Sequence, residues 1–425
     1  MQTRRLSADW LIPVEGEPIP AGAVLIGERG RIILAGTHGA VPSPPGVAVE
    51  HYAGAAILPG FVNTHTHLEL TGLPRSAREA DFADWIAQLR AAKERRSAAE
   101  YRTAAREGLA QCHAAGVTTI ADTGDSGAVI EALAAAGGSG IAYLEVFGPH
   151  PDQLAESLAG LEQRAEACAP FAGPRVQLGV SPHAPYTVSA PLYRETARWA
   201  RERGLPLAVH IAESPEESAL LKDGTGVFAE RWNRRGIPLP NPLGDSPVAW
   251  LERHGVLGAD TLCIHAVQVS ERDIVRLQAN DAAVAHCPHS NRVHRHGEAP
   301  LRQLLDAGLR VGCGTDSVAS VGALDLLAEV RAARAIAGLD AAAALRLCTL
   351  DVARAIGLHH EVGSLAAGKW GDVVVVRTTG SNGSSGVLEA ILATAPRDVL
   401  ATWLGGRKVF SARSPLAARG AESLA

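Results

Sequence analysis

Between Ile57 and Gly314 the chain alternates short apolar runs with longer stretches of helical period, and this alternation narrows the fold more than any other feature of the sequence. Eight runs can be counted: 57–62, 117–122, 141–147, 176–180, 205–211, 261–265, 282–286 and 310–314. The stretches between them, such as 98–115, 189–203, 271–279 and 300–307, are rich in Ala, Arg and Glu, with apolar residues at helix spacing. Strands apolar on both faces belong to parallel sheets covered by helices, because βαβ crossovers lay helices over the sheet. Eight such units in about 260 residues match a (β/α)8 TIM barrel. The expectation is an α/β protein with that barrel over residues 56–362.

The two ends of the chain follow another pattern. Ala23–Ala35 reads as two strands turning at Glu28-Arg-Gly30, and 47–52 as a third. Past Val362, strands are expected at 372–377, 399–403 and 407–410, with a flexible loop at 378–386. Either end alone has too few strands to bury a face. Residues 1–55 and 363–425 are therefore expected to join in one small β-sandwich domain.

Composition excludes several classes of function. Of 425 residues, 47% are hydrophobic and 20% charged, and the net charge is -5, so the basic patch that nucleic acid demands is missing. No apolar run approaches the roughly 20 residues of a membrane span, and the N-terminal stretch lacks the apolar core of a signal peptide. The six cysteines (112, 168, 263, 287, 313 and 348) are scattered, with no Cys-x-x-Cys. They read as buried free thiols, and the expected location is cytoplasmic.

In such a barrel the functional groups sit at the C-terminal ends of the strands. The first run leads into His65-Thr-His67, and because residues i and i+2 of a strand share a face, the two imidazoles project together. The fourth run ends near His183, the fifth in His210 with Glu213 three residues on, the sixth in His265 and the eighth in Asp316. Singly, a strand-end His is most often structural, and an Asp after Gly-Thr most often caps a helix. Together, metal-ligand residue types close the first, fifth, sixth and eighth runs on one rim, which points to a bound divalent ion.

The motifs Pro59-Gly-Phe-Val-Asn-Thr-His-Thr-His67, His210-x-x-Glu213, His265, His286-Cys-Pro-His-Ser-Asn291 and Gly314-Thr-Asp-Ser317 resemble the amidohydrolase superfamily, in its mononuclear deaminase and chlorohydrolase branch. The resemblance covers most of the chain, the split β domain included. It implies His65, His67, His210 and Asp316 as ligands of one divalent metal, Zn2+ first and Fe2+ as the alternative. Members with two metals bridge them with a modified lysine on the fourth strand; no lysine stands between Glu94 and Leu221, so one metal is expected. Three imidazoles and a carboxylate leave room for a water on Zn2+, whose pKa falls from about 15.7 towards 7. The resemblance further implies Glu213 as general acid/base, His265 as hydrogen-bond partner of the attacking oxygen, and Asp316 as proton acceptor besides ligand. The expected reaction is hydroxide attack on an amidine-like ring carbon with loss of ammonia.

Ser181-Pro-His183-Ala-Pro-Tyr-Thr-Val-Ser189 is similar to a stretch of the S-adenosylhomocysteine and methylthioadenosine deaminases, where the histidine contacts the nucleoside. By spacing from the first His pair, Trp85 and Glu94 fall where those enzymes place an apolar wall and a ribose-binding carboxylate. A buried helix residue and a solvated one explain them equally well. Glu69 and an insertion over 222–247, carrying Arg231, Arg234 and Arg235, are similar to features of the aminodeoxyfutalosine deaminases of menaquinone biosynthesis. Their substrate is an adenine nucleoside bearing a benzoate; the arginines suit that carboxylate, and Glu69 is expected to act in substrate choice. The leading expectation is thus a small nucleoside-like substrate and aminodeoxyfutalosine deamination. The alternatives are deaminases of S-adenosylhomocysteine, methylthioadenosine, adenosine, guanine or cytosine, a triazine-type chlorohydrolase, and a barrel that has lost catalysis and serves as a scaffold. Superfamily habit suggests a homo-oligomer, by analogy only.

Overall fold

The structure is a computed structural model that describes residues 2–73, 81–378, 380 and 383–412. The chain falls into two compact units: Met1–Phe61, Gln111–Thr118 and His360–Ala425 form one, Val62–Ala110 and Thr119–His359 the other. The first begins with β1 (Arg4–Leu11), β2 (Ile19–Ile26), β3 (Ile32–Thr37) and β4 (Ala48–Pro59).

The barrel strands are β5 (Phe61–Thr66), β6 (Val117–Gly124), β7 (Ser139–Val146), β8 (Val176–Pro182), β9 (Leu207–Ile211), β10 (Thr261–His265), β11 (Ala283–His286) and β12 (Arg310–Cys313). They follow one another in sequence order around the sheet, and neighbouring strands from β6 to β12 pair in parallel. Every residue of β5, β6, β7, β9, β10 and β11 is buried, which is why their sequences are mostly apolar or small, with polar and ionisable residues mainly towards the C-terminal ends. The last and first strands meet through hydrogen bonds from Asp316 N to the His65 carbonyl at 3.0 Å and from Thr64 Oγ1 to the Gly312 carbonyl at 3.2 Å.

The first expected run is displaced. Ile57, Leu58 and Pro59 belong to β4 of the small sheet, and the barrel strand starts at Phe61. Gly60 separates the two, and a Cβ there would stand 2.2 Å from Thr118 Oγ1, so the chain passes only as glycine.

The C-terminal strands are β13 (Val373–Arg377), β14 (Val399–Leu404) and β15 (Arg407–Ser411). They complete a seven-stranded sheet in the order β15-β14-β13-β4-β1-β2-β3. Both ends of the chain thus build one small β domain, and Leu6, Val24, Ile57, Val375 and Trp403 share its hydrophobic core. Residues 413–425 lie outside the described residues.

Two expected loops contain helix instead. Gly383–Leu392 is helical because Val387, Ile391 and Leu392 bury one face and draw the Gly/Ser residues into the first turn. The 222–247 insertion contains the helix Gly226–Arg234, whose Phe228, Ala229 and Trp232 bury an apolar stripe beside Phe82 and Trp85. All six cysteines are buried. Among the described residues no helix is long and apolar enough to cross a membrane.

Candidate active site

His65 and His67 leave β5 with ring centroids 4.7 Å apart, and His210 of β9 lies 4.9 and 5.4 Å from them. Asp316, just past β12, brings Oδ1 to 3.6 Å from Nε2 of both His65 and His67. His67 Nδ1 is 2.8 Å from the Thr123 carbonyl, an acceptor that fixes the hydrogen there and leaves Nε2 free for a metal. Asp316 is oriented in turn by Ser290 Oγ, which donates to Oδ2 at 2.5 Å, and by Ser317 N, which donates to Oδ1 at 2.7 Å.

The residues fit a metal ion. Both ring nitrogens of His65 and Nδ1 of His210 are buried without a hydrogen-bond partner. Such orphaned groups cost about 1–3 kcal/mol each unless a ligand meets them. Burial lowers the pKa of His65 and His210 and takes His67 down to about 4, so the imidazoles are in the neutral, ligating form. Burial alone would raise the Asp316 carboxyl, but His65, His67 and His265 outweigh it and hold the group well below the usual range.

Glu213 stands beside this cluster. Tyr186 donates its hydroxyl hydrogen to Glu213 Oε2 at 3.3 Å, and Oε1 lies 3.4 Å from His265 Nε2 and 3.5 Å from His296 Nδ1. Burial pushes the Glu213 carboxyl well above its ordinary pKa. His265 Nδ1 sits 2.9 Å from Asn291 Oδ1; an amide oxygen only accepts, so Nδ1 carries the hydrogen and Nε2 is an acceptor. Glu217 accepts from the N–H groups of Ala212 at 2.8 Å and Glu213 at 2.9 Å, fixing the turn that presents the carboxyl. Ala212, His265 and Asp316 have φ of 51°, 75° and 57°. Left-handed backbone in non-glycine residues costs about 1–3 kcal/mol each, and these three stand at the site.

A cavity of about 750 Å3 opens above these groups, with Phe82, Trp85, Tyr186, Phe228 and Trp232 on its walls. Of the sequence-selected residues, His67, His183, His210, Glu213, His265, Asp316, Trp85 and Glu94 line it. His65 lies buried within the ligand cluster. His183 packs 4.7 Å from His210, ring to ring, and Trp85 lies 5.9 Å from Phe82. Glu94 is on the rim, its carboxylate 62% exposed and taken up by Arg90 at 2.8 Å. Glu69 is not brought to the cavity. It is buried, accepts from Ser126 Oγ and the N–H groups of Asp125 and Ser126, and pairs with Lys93 at 3.4 Å. Arg231 donates to the Ala83 carbonyl at 2.7 Å and pairs with Asp84, which ties the insertion to the helix Phe82–Lys93.

Lys93, Glu145, Tyr186 and His296 also surround the site, and sequence patterns alone pass over them. Glu145 was open to detection, since it is a carboxylate interrupting the third apolar run near its C-terminal end.

The model of the amidohydrolase family matches residues 56–409. The chain belongs to the amidohydrolase family. As an amidohydrolase it is a metal-dependent hydrolase of carbon–nitrogen bonds. The aminodeoxyfutalosine deaminase of Deinococcus radiodurans is 32% identical over 367 residues, covering 83% of this chain and 86% of that protein. The 5-methylthioadenosine/S-adenosylhomocysteine deaminase of Moorella thermoacetica is 30% identical over 383 residues, covering 86% and 83%. An adenosine deaminase from Xanthomonas campestris, solved with bound zinc, shares the fold with a TM-score of 0.83 at 23% identity, over 97% of this chain and 95% of that one.

Proposed function

We propose that this amidohydrolase deaminates an adenine-type nucleoside, with aminodeoxyfutalosine as the leading substrate. The observation that carries the reading is the place of Glu213, a buried carboxyl at the foot of an aromatic-walled cavity beside the ligand cluster, where burial favours its neutral form. A ring nitrogen must gain a proton when its neighbouring carbon is attacked, and a neutral carboxyl supplies one. The names of the relatives support a nucleoside substrate.

His65, His67, His210 and Asp316 would hold a divalent ion, Zn2+ foremost, and that ion supplies a water activated at neutral pH. The chain's own groups do the rest. Tyr186 orients Glu213, whose proton goes to the ring nitrogen. His265 Nε2, an acceptor by its bond to Asn291, and the Asp316 carboxylate take the protons released from the water. One of these protons passes to the amino group, which leaves as ammonia, and the other returns to Glu213. The aromatic walls stack on a purine, and Arg231 and Arg235 on the rim suit a carboxylate on the nucleoside's tail.

The test is ammonia release from aminodeoxyfutalosine, S-adenosylhomocysteine, methylthioadenosine, adenosine, guanine and cytosine. The highest kcat/KM is expected for aminodeoxyfutalosine. S-adenosylhomocysteine or methylthioadenosine ahead of it would change the substrate within the nucleosides; guanine or cytosine ahead of all would overturn the nucleoside reading.

A further inference from the structure

The carboxyl of Glu213 has a neighbour that the proton transfers above leave idle. His296 is 2% exposed, and its Nδ1 lies 3.5 Å from Glu213 Oε1. Neither of its ring nitrogens has a hydrogen-bond partner. It follows the helix Pro288–Val293, and Arg295, with φ of 61°, turns the chain so that His296 enters the interior while Arg295 stays exposed. The backbone N–H of His296 donates to the Asn291 carbonyl at 2.9 Å, and its own carbonyl accepts from Gln268 Nε2. The Phe82 ring meets the imidazole edge-on, 4.4 Å between centroids, and the His294 ring stacks on it at 5.4 Å. Backbone bonds and two packed rings therefore fix where Nδ1 stands.

Burial is the first cause that takes the His296 pKa down to about 2, so the ring is neutral and carries one hydrogen. Nε2 faces no acceptor, whereas Nδ1 faces Glu213 Oε1, so the hydrogen belongs on Nδ1. The other imidazole at that oxygen, His265, presents an acceptor, because its own Nδ1–H is committed to Asn291. At 3.5 Å the His296 contact is longer than a hydrogen bond. Once Glu213 has given its proton to the ring nitrogen, Oε1 belongs to a buried anion. Hydrogen bonds to an anion are shorter and about twice as strong as those between neutral groups. Hydrogen bonds used in catalysis are often long in the free enzyme and tighten only in the reacting complex.

We propose that His296 is a positioning residue that acts through Glu213: its Nδ1–H donates to the carboxylate formed when the ring nitrogen is protonated, and lets go when the proton returns. His296 keeps its own proton throughout, so the proton count of the reaction is unchanged. A bond made only after proton transfer favours the intermediate over the bound substrate, so it raises kcat and leaves KM alone. The inference rests on the reading of Glu213 as proton donor.

His296→Phe removes the donor and keeps a ring in the same space. On the best nucleoside of the panel it is expected to keep its metal and its KM and to lose about 10- to 100-fold in kcat, the share of a hydrogen bond to a charged group. His296→Asn, whose NH2 stands near the place of Nδ1, should recover most of that loss. A nucleoside analogue with a tetrahedral, hydroxyl-bearing carbon at the attacked position and an N–H beside it should bind more weakly to His296→Phe by the same factor as kcat, while binding of the deaminated product stays unchanged. In a Glu213→Gln background His296→Phe should cost nothing further, because no carboxylate forms there. Near-native kcat in His296→Phe overturns the proposal. So does an equal loss in both backgrounds, which would make the ring a packing element only. His296→Gln, which carries its amide where Nε2 stands rather than Nδ1, takes the place of the phenylalanine variant should that one fail to fold. Glu213→Gln alone with near-native kcat removes the reading of Glu213 itself, a result separate from these.

Discussion

Asp316 donates its backbone N–H to the His65 carbonyl at 3.0 Å while its Oδ1 stands 3.6 Å from His65 Nε2. The last and first strands of the barrel are therefore joined at the ligand cluster, so ring closure and ligand geometry share one contact. Stability and metal content should then move together. Chelation of the metal, or Asp316→Asn, is expected to lower Tm and abolish activity. An ion present at 1,000 times its Kd contributes about 4 kcal/mol to folding. Metal analysis and calorimetry check this, and an Asp316→Asn protein with full metal and unchanged Tm would refute the ligand assignment.

Glu213→Gln should keep the metal and lower kcat by about 10²- to 10⁴-fold, the usual share of a general acid. Tyr186→Phe removes only the donor that orients this carboxyl, so a loss nearer tenfold is expected. Steady-state kinetics with metal content measured alongside separate the two. Glu213→Gln with near-native kcat would move the proton donor elsewhere.

Acid should destabilise the fold through its buried imidazoles. Burial is the first cause that takes His67, His183 and His265 down to about 4 and His286 to about 3. Unfolded imidazoles titrate near pH 6.5, so at pH 5 the unfolded chain binds protons here that the folded chain does not. The contribution is lost as pH falls through about 6.5 to 4, at up to about 1.4 kcal/mol per pH unit for each group. Buried carboxyls such as Glu69 and Glu217, pushed up to about 7, act in the opposite sense. With the candidate ligands His65, His67 and His210 left out, seven imidazoles are lowered against five raised carboxyls among the described residues, so the net slope keeps the imidazoles' sign. Melting curves from pH 5 to 7.5 should show Tm rising with pH, less steeply in His286→Gln. A flat profile would contradict the buried neutral state of these rings.

The barrel is readable in the sequence because burial on both faces makes a strand continuously apolar whatever surrounds it. The same property hides where the first strand begins, since Ile57-Leu58-Pro59 is as apolar in β4 as it would be in the barrel, and only Gly60 marks the break. The ligands are readable because their strand ends converge on one rim. Lys93 is not, because Ala-Ala-Lys-Glu-Arg-Arg looks like any solvated helix end. Its burial depends on Glu69, Asp125 and Glu145, which come from three separate strand ends. Glu69 is hard to place for the same reason: proximity to His67 along the chain suggests a substrate contact, while its side chain turns to the loop after β6.

That position gives Glu69 a structural role that can be separated from substrate binding. A Cβ at Gly124 would lie 2.7 Å from Glu69 Oε2, so the end of β6 is shaped around this carboxylate. Lys93→Met removes the ammonium that meets all three carboxylates and is expected to cost about 3–5 kcal/mol, as when one partner of a buried pair is deleted. Glu69→Gln leaves Lys93 with Asp125 and Glu145 and should cost less. It should keep the metal and change KM little. Because Glu69 and Lys93 touch, the double variant should be more stable than the sum of the single losses implies. Thermal melts of the four proteins measure that coupling, and KM on the best nucleoside tests the role directly. A Glu69→Gln enzyme with native Tm and a raised KM would restore Glu69 as a substrate contact.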